Sequence, residues 1–357
     1  MPGTDPLETM RLILGELPDL PFLAELPGRG PGADLTGRTA AMLAEMPAET
    51  TSRGWRLAGR PGRDLRHAQS LLARDLDALE EAAEGFSGVL KISAGGPWTM
   101  AATVELARSQ EPVLADPGAV RDLTASLAEG VAAQLAGVAA RVPGARLLLQ
   151  LDEPALPAVL AGAVPSASGL NRVRAVEPAD AESGLRTVLA AAGVPVLVHC
   201  CAPSVPLGMI RDAGAVAAGI DLGQLRRGEE DVLAAVVEAG LGIFAGAVPA
   251  TPAPVPARAA APAGRQDIAH SAQRRSGQQS LGTVAAVQVT ELWRRMGWPV
   301  ARPAGAAASL AASVAGQVVI TPACGLAGAP LDYAARALAS CREAAQMLPE
   351  MTEEESR

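Results

Sequence analysis

The stretch Val196-Leu197-Val198-His199-Cys200-Cys201 is an apolar run that ends in one histidine and two cysteines. Such a run is typical of a parallel strand that is covered on both faces. Side chains two residues apart on a strand point the same way, so we expect His199 and Cys201 to project together and Cys200 to point to the other side. An imidazole beside a thiolate makes a good pair of zinc ligands. The alternative is a buried histidine at a strand end next to a small apolar cysteine.

Similar runs alternate with helical patterns along the chain. The strand candidates are residues 21–25, 89–92, 146–151, 195–199, 215–220, 241–245 and 317–321. The helical patterns cover residues 65–83, 119–142, 183–192, 229–239, 283–296 and 332–348. Strand–helix alternation on this scale predicts an α/β fold with a parallel sheet. We predict a (β/α)8 TIM barrel that occupies residues 1–357 as a single domain.

Seven strand candidates leave this barrel one strand short of eight. The chain opens on Met1-Pro2-Gly3-Thr4-Asp5-Pro6, which reads like the loop after a strand, so we expect the first strand to be the missing one. One hypothesis is that Met1 is an internal methionine taken as a start codon, or that the chain was cut there. The other is an open or seven-stranded variant. Residues 249–281 are rich in proline and alanine and then polar, which predicts a flexible insertion.

The bulk composition excludes several classes of function. The net charge is −8 and basic residues form only short arginine pairs, so nucleic acid is not an expected partner. No run of about 18 apolar residues is present, so no membrane span is expected. The first eight residues carry two acids and no apolar segment, which is unlike a signal peptide. Four cysteines, two of them adjacent, suit a cytoplasmic chain with reduced thiols better than a disulfide framework.

A second cysteine-bearing strand end lies near the end of the chain. Residues 318–326 read Val-Val-Ile-Thr-Pro-Ala-Cys-Gly-Leu and place Cys324 just past an apolar strand. Active sites of such barrels lie at the C-terminal ends of the strands, so Cys324 can converge with His199 and Cys201. Three protein ligands with one open position form the pattern of a catalytic zinc site.

Two further strand ends carry charged residues. Asp152 and Glu153 follow an apolar strand, where a carboxylate can anchor a substrate ammonium or transfer a proton. The alternative is the start of a helix, because Asp-Glu-Pro is a good N-terminal signal. Lys91 lies on the strand before the turn Gly96-Pro97-Trp98-Thr99, whose helix start can bind an anion. A simple strand–helix turn with a surface lysine explains that segment equally well.

Taken in order, these motifs resemble the C-terminal catalytic barrel of cobalamin-independent methionine synthase. The matching segments are Asp152-Glu153-Pro154-Ala155, then His199-Cys200-Cys201, then Pro322-Ala323-Cys324-Gly325-Leu326. The family shows Asp-Glu-Pro-Ala, His-x-Cys and Pro-Asp-Cys-Gly-Leu in the same order and at similar separations. Gly96-Pro97-Trp98-Thr99 resembles its Gly-Pro-x-Thr turn. Residues 21–27 resemble an early strand of the wider superfamily, which includes uroporphyrinogen decarboxylase.

The resemblance implies roles for individual residues. His199, Cys201 and Cys324 match zinc ligands, and Asp152 matches the acid that holds the amino group of homocysteine. The family's fourth protein ligand is a glutamate, and here Asp221 stands at about that place with a shorter side chain. We expect Asp152 as the catalytic residue and Asp152, Glu153 and Lys91 as substrate-binding residues.

The resemblance implies a zinc-dependent methyltransferase that acts on a thiol, most simply homocysteine to give methionine. The methyl donor is expected to be a folate or a methylcorrinoid protein. Three departures favour an alternative, a zinc-binding barrel relative without turnover. The family's catalytic histidine is missing from residues 242–249, and His270 falls in the predicted insertion. The N-terminal half of the full-length synthase and the Gly-Ser-containing first strand are absent as well. A decarboxylase that acts on a tetrapyrrole is a third hypothesis, disfavoured because that activity needs no metal.

Overall fold

A curled, six-stranded parallel sheet organises the molecule. The computed structural model describes residues 1–252, 280–297 and 318–354. The sheet runs in sequence order, with each strand paired to the next. Its strands are β3 (Gly88–Gly95), β4 (Ala145–Asp152), β5 (Val196–Cys200), β6 (Ala217–Asp221), β7 (Gly242–Val248) and β8 (Val318–Pro322), and a separate hairpin is formed by β1 (Ala48–Thr51) and β2 (Gly54–Leu57).

Helices follow most of the strands. They are α1 (Pro6–Glu16), α2 (Leu35–Met42), α3 (Arg63–Ala82), α4 (Pro97–Thr103), α5 (Pro117–Arg141), α6 (Leu156–Leu160), α7 (Pro178–Ala192), α8 (Leu207–Asp212), α9 (Glu230–Glu238), α10 (Leu281–Arg295) and α11 (Leu331–Glu354). The long ones bury one stripe of apolar residues, as α3 does with Leu65, Leu72, Leu76 and Leu79. Helix α5 begins at Pro117, and Asp116 caps it by accepting hydrogen bonds from two backbone N–H groups.

The α/β class and the parallel order of the strands are confirmed. Six of the seven predicted strands are strands of the sheet, with ends shifted by one to three residues. The seventh, residues 21–25, lies parallel to β3 and pairs with it through a single bridge between Phe22 and Lys91. The backbone N–H of Leu23 donates to the carbonyl of Lys91, and that of Lys91 donates to the carbonyl of Pro21, both at 2.9 Å. The described residues therefore form a partial barrel, and closure by eight strands stays a prediction.

A small apolar cluster fills the N-terminal end of the sheet's inner face. Its buried members come from four neighbouring strands: Leu148, Leu197, Ala217 and Phe244. Partly buried Leu20, Val89 and Val319 pack against them. Because side chains alternate along a strand, the residues two positions further on point to the same interior, closer to the C-terminal ends. Gln150 and His199 occupy such positions, directly above the apolar cluster.

The hairpin and five helices (α1, α2, α4, α6 and α8) lie outside the predicted strands and helical patterns. Helix α1 packs against α3 and α11, and Arg342 of α11 donates to the carbonyls of Gly15 and Glu16. Strand β1 is tied to α3 because Asp64 accepts hydrogen bonds from both the N–H and the hydroxyl of Thr50. These elements are short and depend on contacts that are distant in sequence, which local patterns do not reveal.

The long helix α5 is apolar enough, by length and composition alone, to cross a bilayer, although half of its most apolar window is buried in the fold. Its packing against α7 accounts for that composition. The predicted insertion at residues 249–281, with His270, lies outside the described residues except for its two ends. The single-domain organisation stays a prediction.

Candidate active site

The chemically active side chains gather at the C-terminal ends of the strands. Lys91 comes from β3, Gln150 and Asp152 from β4, and His199 from β5. The register of the parallel pairs sets Asp152 directly beside His199. Cys201 follows β5 by one residue, and Cys324 follows β8 by two. The sheet thus brings together residues from the middle and the end of the chain.

Asp152 and His199 form the central contact of this group. His199 Nδ1 lies 2.7 Å from Asp152 Oδ1, and the two side chains keep only 17% and 13% of their exposure. Gln150 Nε2 donates to the same carboxylate oxygen at 2.7 Å. Burial alone would lower the pKa of His199, but the hydrogen bond and the charge of Asp152 outweigh it and raise that pKa. With Nδ1 engaged, Nε2 is the nitrogen left for a ligand.

Two thiols meet at the same rim. The Sγ atoms of Cys201 and Cys324 lie 3.2 Å apart. The hydrogen bond between the two sulfurs lowers the pKa of Cys324 to about 6, against the effect of burial, and the nearby imidazole of His199 lowers it further. The same contact raises the pKa of Cys201, so ionisation of one thiol disfavours ionisation of the other. The structure therefore brings Cys201 and Cys324 together, while the joint role of both thiols with His199 as metal ligands stays a prediction.

Glu153 does not face this group, contrary to its predicted substrate-binding role. It is fully buried, and its carboxylate accepts hydrogen bonds from the backbone N–H groups of Trp98 and Thr99 and from the Thr99 hydroxyl, at 2.7–2.9 Å. Burial raises the pKa of Glu153 to about 7 against the effect of these donors. The alternative was that this segment starts a helix; α6 does begin at Leu156, but its N-cap is Ala155, without a side-chain hydrogen bond, and Glu153 binds the N-terminus of α4 instead. The reason is that α4 offers free N–H groups across the sheet.

Asp221 is not joined to the thiols either. It ends β6 on the register that faces the interior, since Ala217 belongs to the inner apolar cluster. Its Oδ1, however, accepts a hydrogen bond from the backbone N–H of Gly223 at 2.8 Å, so the carboxylate caps its own turn. A carboxylate one methylene shorter than glutamate is held back more easily by such a turn. The placement gives no support to Asp221 as a metal ligand.

Lys91 and Cys200 lie where alternation along the strands predicts. Lys91 Nζ donates to Gln150 Oε1 and lies 5.2 Å from the ring centre of Phe22. Burial lowers the pKa of Lys91, while the negative charges of Asp152 and Glu25 oppose that shift. Cys200 is fully buried on the opposite face of β5, and burial raises its pKa to about 11.

Glu25 is a candidate residue that the sequence analysis missed. It ends the 21–25 segment beside β3, and Ser93 Oγ donates to its Oε1 at 3.4 Å. Burial raises the pKa of Glu25, Arg38 lowers it, and the charge of Asp152 raises it again, so the two carboxylates sense each other. The rule that singled out Asp152, a carboxylate at the C-terminal end of a strand, applies equally to Glu25.

The donor set suits a soft metal ion, although its geometry is not that of a bound site. Among the described residues, no group of three or more His, Cys, Asp and Glu side chains is arranged to hold a metal. Two sulfurs on one tetrahedral zinc, with bonds of about 2.3 Å, lie roughly 3.8 Å apart. The 3.2 Å between Cys201 and Cys324 would have to open by about half an ångström. Two thiols with an available imidazole nitrogen are nevertheless the ligand types that zinc prefers.

The fold has a counterpart among solved structures. A solved B12-independent methionine synthase from Shewanella sp. W3-18-1, in complex with selenomethionine, superposes with a TM-score of 0.58 over 97% of this chain and 88% of that one. The chain is similar in fold to this synthase. Sequence identity is 10%, so the likeness establishes the architecture and leaves the activity open. No family model matches the sequence, and no curated protein matches it.

Proposed function

We propose that the chain is a zinc-dependent methyltransferase that transfers a methyl group to a thiol, with homocysteine as the acceptor and methionine as the product. One observation carries the proposal: the thiols of Cys201 and Cys324 meet at the C-terminal rim of a parallel sheet, beside an imidazole whose other nitrogen is engaged. The similarity in fold to a methionine synthase supports the same reading. The expected cytoplasmic location and the choice between a folate and a methylcorrinoid donor are part of this proposal.

His199 Nε2, Cys201 Sγ and Cys324 Sγ would hold the zinc ion, which supplies a Lewis acid that keeps an acceptor thiol deprotonated near neutral pH. Two thiolates donate more charge than imidazoles, so the acceptor sulfur stays nucleophilic. Asp152 fixes His199 through the 2.7 Å bond to Nδ1. Transfer forms a sulfur–carbon bond and breaks the bond between the methyl group and the donor, whose electron pair stays with the donor.

Asp152 and Glu25 are the groups that would orient the acceptor. Both carboxylates lie at the rim, where Lys91 acts on both of them and Arg38 and the N-terminal ammonium act on Glu25 as well. An amino acid would bring its own ammonium to these carboxylates, which favours homocysteine over a simple alkyl thiol. This assignment replaces Glu153, whose carboxylate is bound to α4.

Metal analysis and a transfer assay test the proposal. Protein expressed with zinc should carry one ion per chain, and Cys201→Ser and Cys324→Ser should each lose most of it. Cys200→Ala is the matched control, because its thiol is adjacent in sequence but faces the other side of β5; it should keep the metal. The same preparations are then assayed for methionine from homocysteine with methyltetrahydrofolate or methylcobalamin. Absence of zinc from the wild-type chain would overturn the proposal.

A zinc-binding protein without turnover remains the second candidate. The resemblance places the family's catalytic histidine just after strand β7. Neither β7 nor residues 249–252 contain a histidine. The outcome that favours this candidate is one zinc per chain with no methionine from either donor, on protein whose acceptor binding is established by calorimetry.

A further inference from the structure

A continuous chain of hydrogen bonds crosses three strands at the floor of the candidate site. Lys91 Nζ donates to Gln150 Oε1. Gln150 Nε2 donates to Asp152 Oδ1 at 2.7 Å, and His199 Nδ1 approaches the same oxygen at 2.7 Å. These hydrogen bonds link the ammonium of Lys91 on β3, through β4, to the imidazole of His199 on β5.

The chemistry of the end groups fixes the direction of every bond. A lysine ammonium can only donate, so the carbonyl end of Gln150 must face it and the NH2 end is left for Asp152. An ionised carboxylate can only accept, so Nδ1 of His199 must carry the hydrogen. The lone pair of the neutral ring is thereby placed on Nε2.

Gln150 also separates two opposite charges that attract each other. Burial lowers the pKa of Lys91, and the charge of Asp152 opposes that shift, as expected for two opposite charges separated by one side chain. A lysine side chain is flexible, and a partly buried ammonium without an acceptor is costly, so Lys91 would pair directly with Asp152 if the amide were removed. That pairing would draw the carboxylate away from His199.

We propose that Gln150 is a positioning residue that keeps Lys91 and Asp152 apart, so that Asp152 holds His199 in the Nδ1–H tautomer and presents Nε2 to the site. The inference rests on the proposed function only in the use made of Nε2. The arrangement itself requires neither zinc nor turnover.

The test reads the tautomer of His199 in metal-free protein. Long-range 1H–15N NMR spectra are recorded over a pH series from about 7 to 9, and the tautomer is read from the signals of the neutral ring at the lowest pH where they appear, because the pKa of His199 is raised and that of Lys91 is lowered. The chain contains three histidines, and His67→Gln and His270→Gln assign the signals of His199 by elimination. Four proteins are compared: wild type, Gln150→Met, Lys91→Met and the double variant with both changes.

The expected pattern is specific to a spacer. Wild type should show the Nδ1–H tautomer because Gln150 keeps Lys91 away from Asp152. Lys91→Met should show it as well because it lacks the ammonium that competes with His199 for Asp152. Gln150→Met should lose it to a mixture that includes Nε2–H, and the double variant should regain it. A merely structural role for Gln150 would not be rescued by a second change.

Two results would overturn the inference: an unchanged Nδ1–H tautomer in Gln150→Met, or a double variant that fails to regain it. If Gln150→Met does not fold, Gln150→Asn replaces it in both single and double form, since the shorter amide cannot reach both partners. Zinc content is measured separately. A protein that binds no zinc but shows this NMR pattern would contradict the proposed function and support the inference about Gln150.

Discussion

The Sγ atoms of Cys201 and Cys324 lie 3.2 Å apart although 123 residues separate them along the chain. The two residues follow β5 and β8, which are separated in the sheet by β6 and β7. Only a curled sheet can bring the two strand ends together. The contact between the two thiols therefore depends on the curvature of the sheet.

Oxidation should join these two thiols first. Their separation exceeds a disulfide bond of about 2.05 Å by little more than an ångström, so a small loop movement suffices. Metal-free protein treated with diamide should fall from four titratable thiols to two, and peptide mapping should find Cys201 linked to Cys324. Zinc should protect the pair. A mapped link that involves Cys200 or Cys341 would contradict the geometry.

Alkylation should reveal the low pKa of Cys324. In metal-free protein, its reaction with iodoacetamide should rise with pH through a midpoint of about 6, because the thiolate is the reacting form. Cys201→Ala removes the hydrogen bond that contributes most to this shift, so the midpoint should move up towards that of an ordinary thiol. Mass spectrometry of the labelled peptide gives the profile. A midpoint that stays at about 6 in Cys201→Ala would refute this cause.

Glu153 should make the fold less stable as the pH rises. Its folded pKa of about 7 lies above the unfolded value near 4.5, so the unfolded state loses its proton first. Stability from this group is therefore full at or below the unfolded pKa and declines as the pH rises towards 7, by up to about 3 kcal/mol. Urea unfolding at several pH values measures the slope. Glu153→Gln, which does not titrate, should flatten it; an equal slope in both proteins would assign the effect to other groups.

Gly96 should be intolerant of a side chain. A Cβ there would lie 2.4 Å from Cδ and Oε1 of Glu153, atoms that are held by three hydrogen bonds. Gly96→Ala should cost about 2 kcal/mol of unfolding free energy. Gly59→Ala is the matched control, since a Cβ at that position meets nothing within 4 Å, and it should change stability by less than about 0.5 kcal/mol. Equal effects of the two changes on urea unfolding would show that Glu153 can give way.

Glu25 should contribute to acceptor binding. Glu25→Gln keeps the shape but removes one of the two carboxylates that attract an ammonium. We expect the Kd for homocysteine to rise about tenfold, equivalent to about 1.4 kcal/mol, with zinc content unchanged. Calorimetry with homocysteine and with an alkyl thiol that lacks the ammonium separates the effects: only the first should weaken. Equal weakening of both ligands would point to a general disturbance of the rim.

Local patterns predicted the sheet but not the partners across it. The apolar runs and helical stripes located six strands and the long helices, because buried parallel strands and amphipathic helices leave signals within one window of sequence. Glu153 shows the limit of this approach. Its neighbours suggest either a binding role or a local helix start, and its actual partners, Trp98 and Thr99, precede it by more than 50 residues.

The sequence also predicted some residues of the site and missed the roles of others. The cysteines and His199 were found because few residue types bind soft metals, so their positions at strand ends carried information. Gln150 lies within the predicted strand 146–151 and was given no role, since its significance comes from Lys91 on the neighbouring strand. Asp221 was expected as a ligand only from its place in the resemblance, and the backbone N–H of Gly223, two residues away, holds its carboxylate.

The apolar cluster of Leu148, Leu197, Ala217 and Phe244 affects how ligands reach the site. In the part of the chain that the structure describes, it closes the N-terminal end of the interior, so a ligand of His199 would enter from the rim where the thiols lie. Under the proposed function, the acceptor and the methyl donor would use the same entrance. The molecule bound deeper could then leave only after the other one.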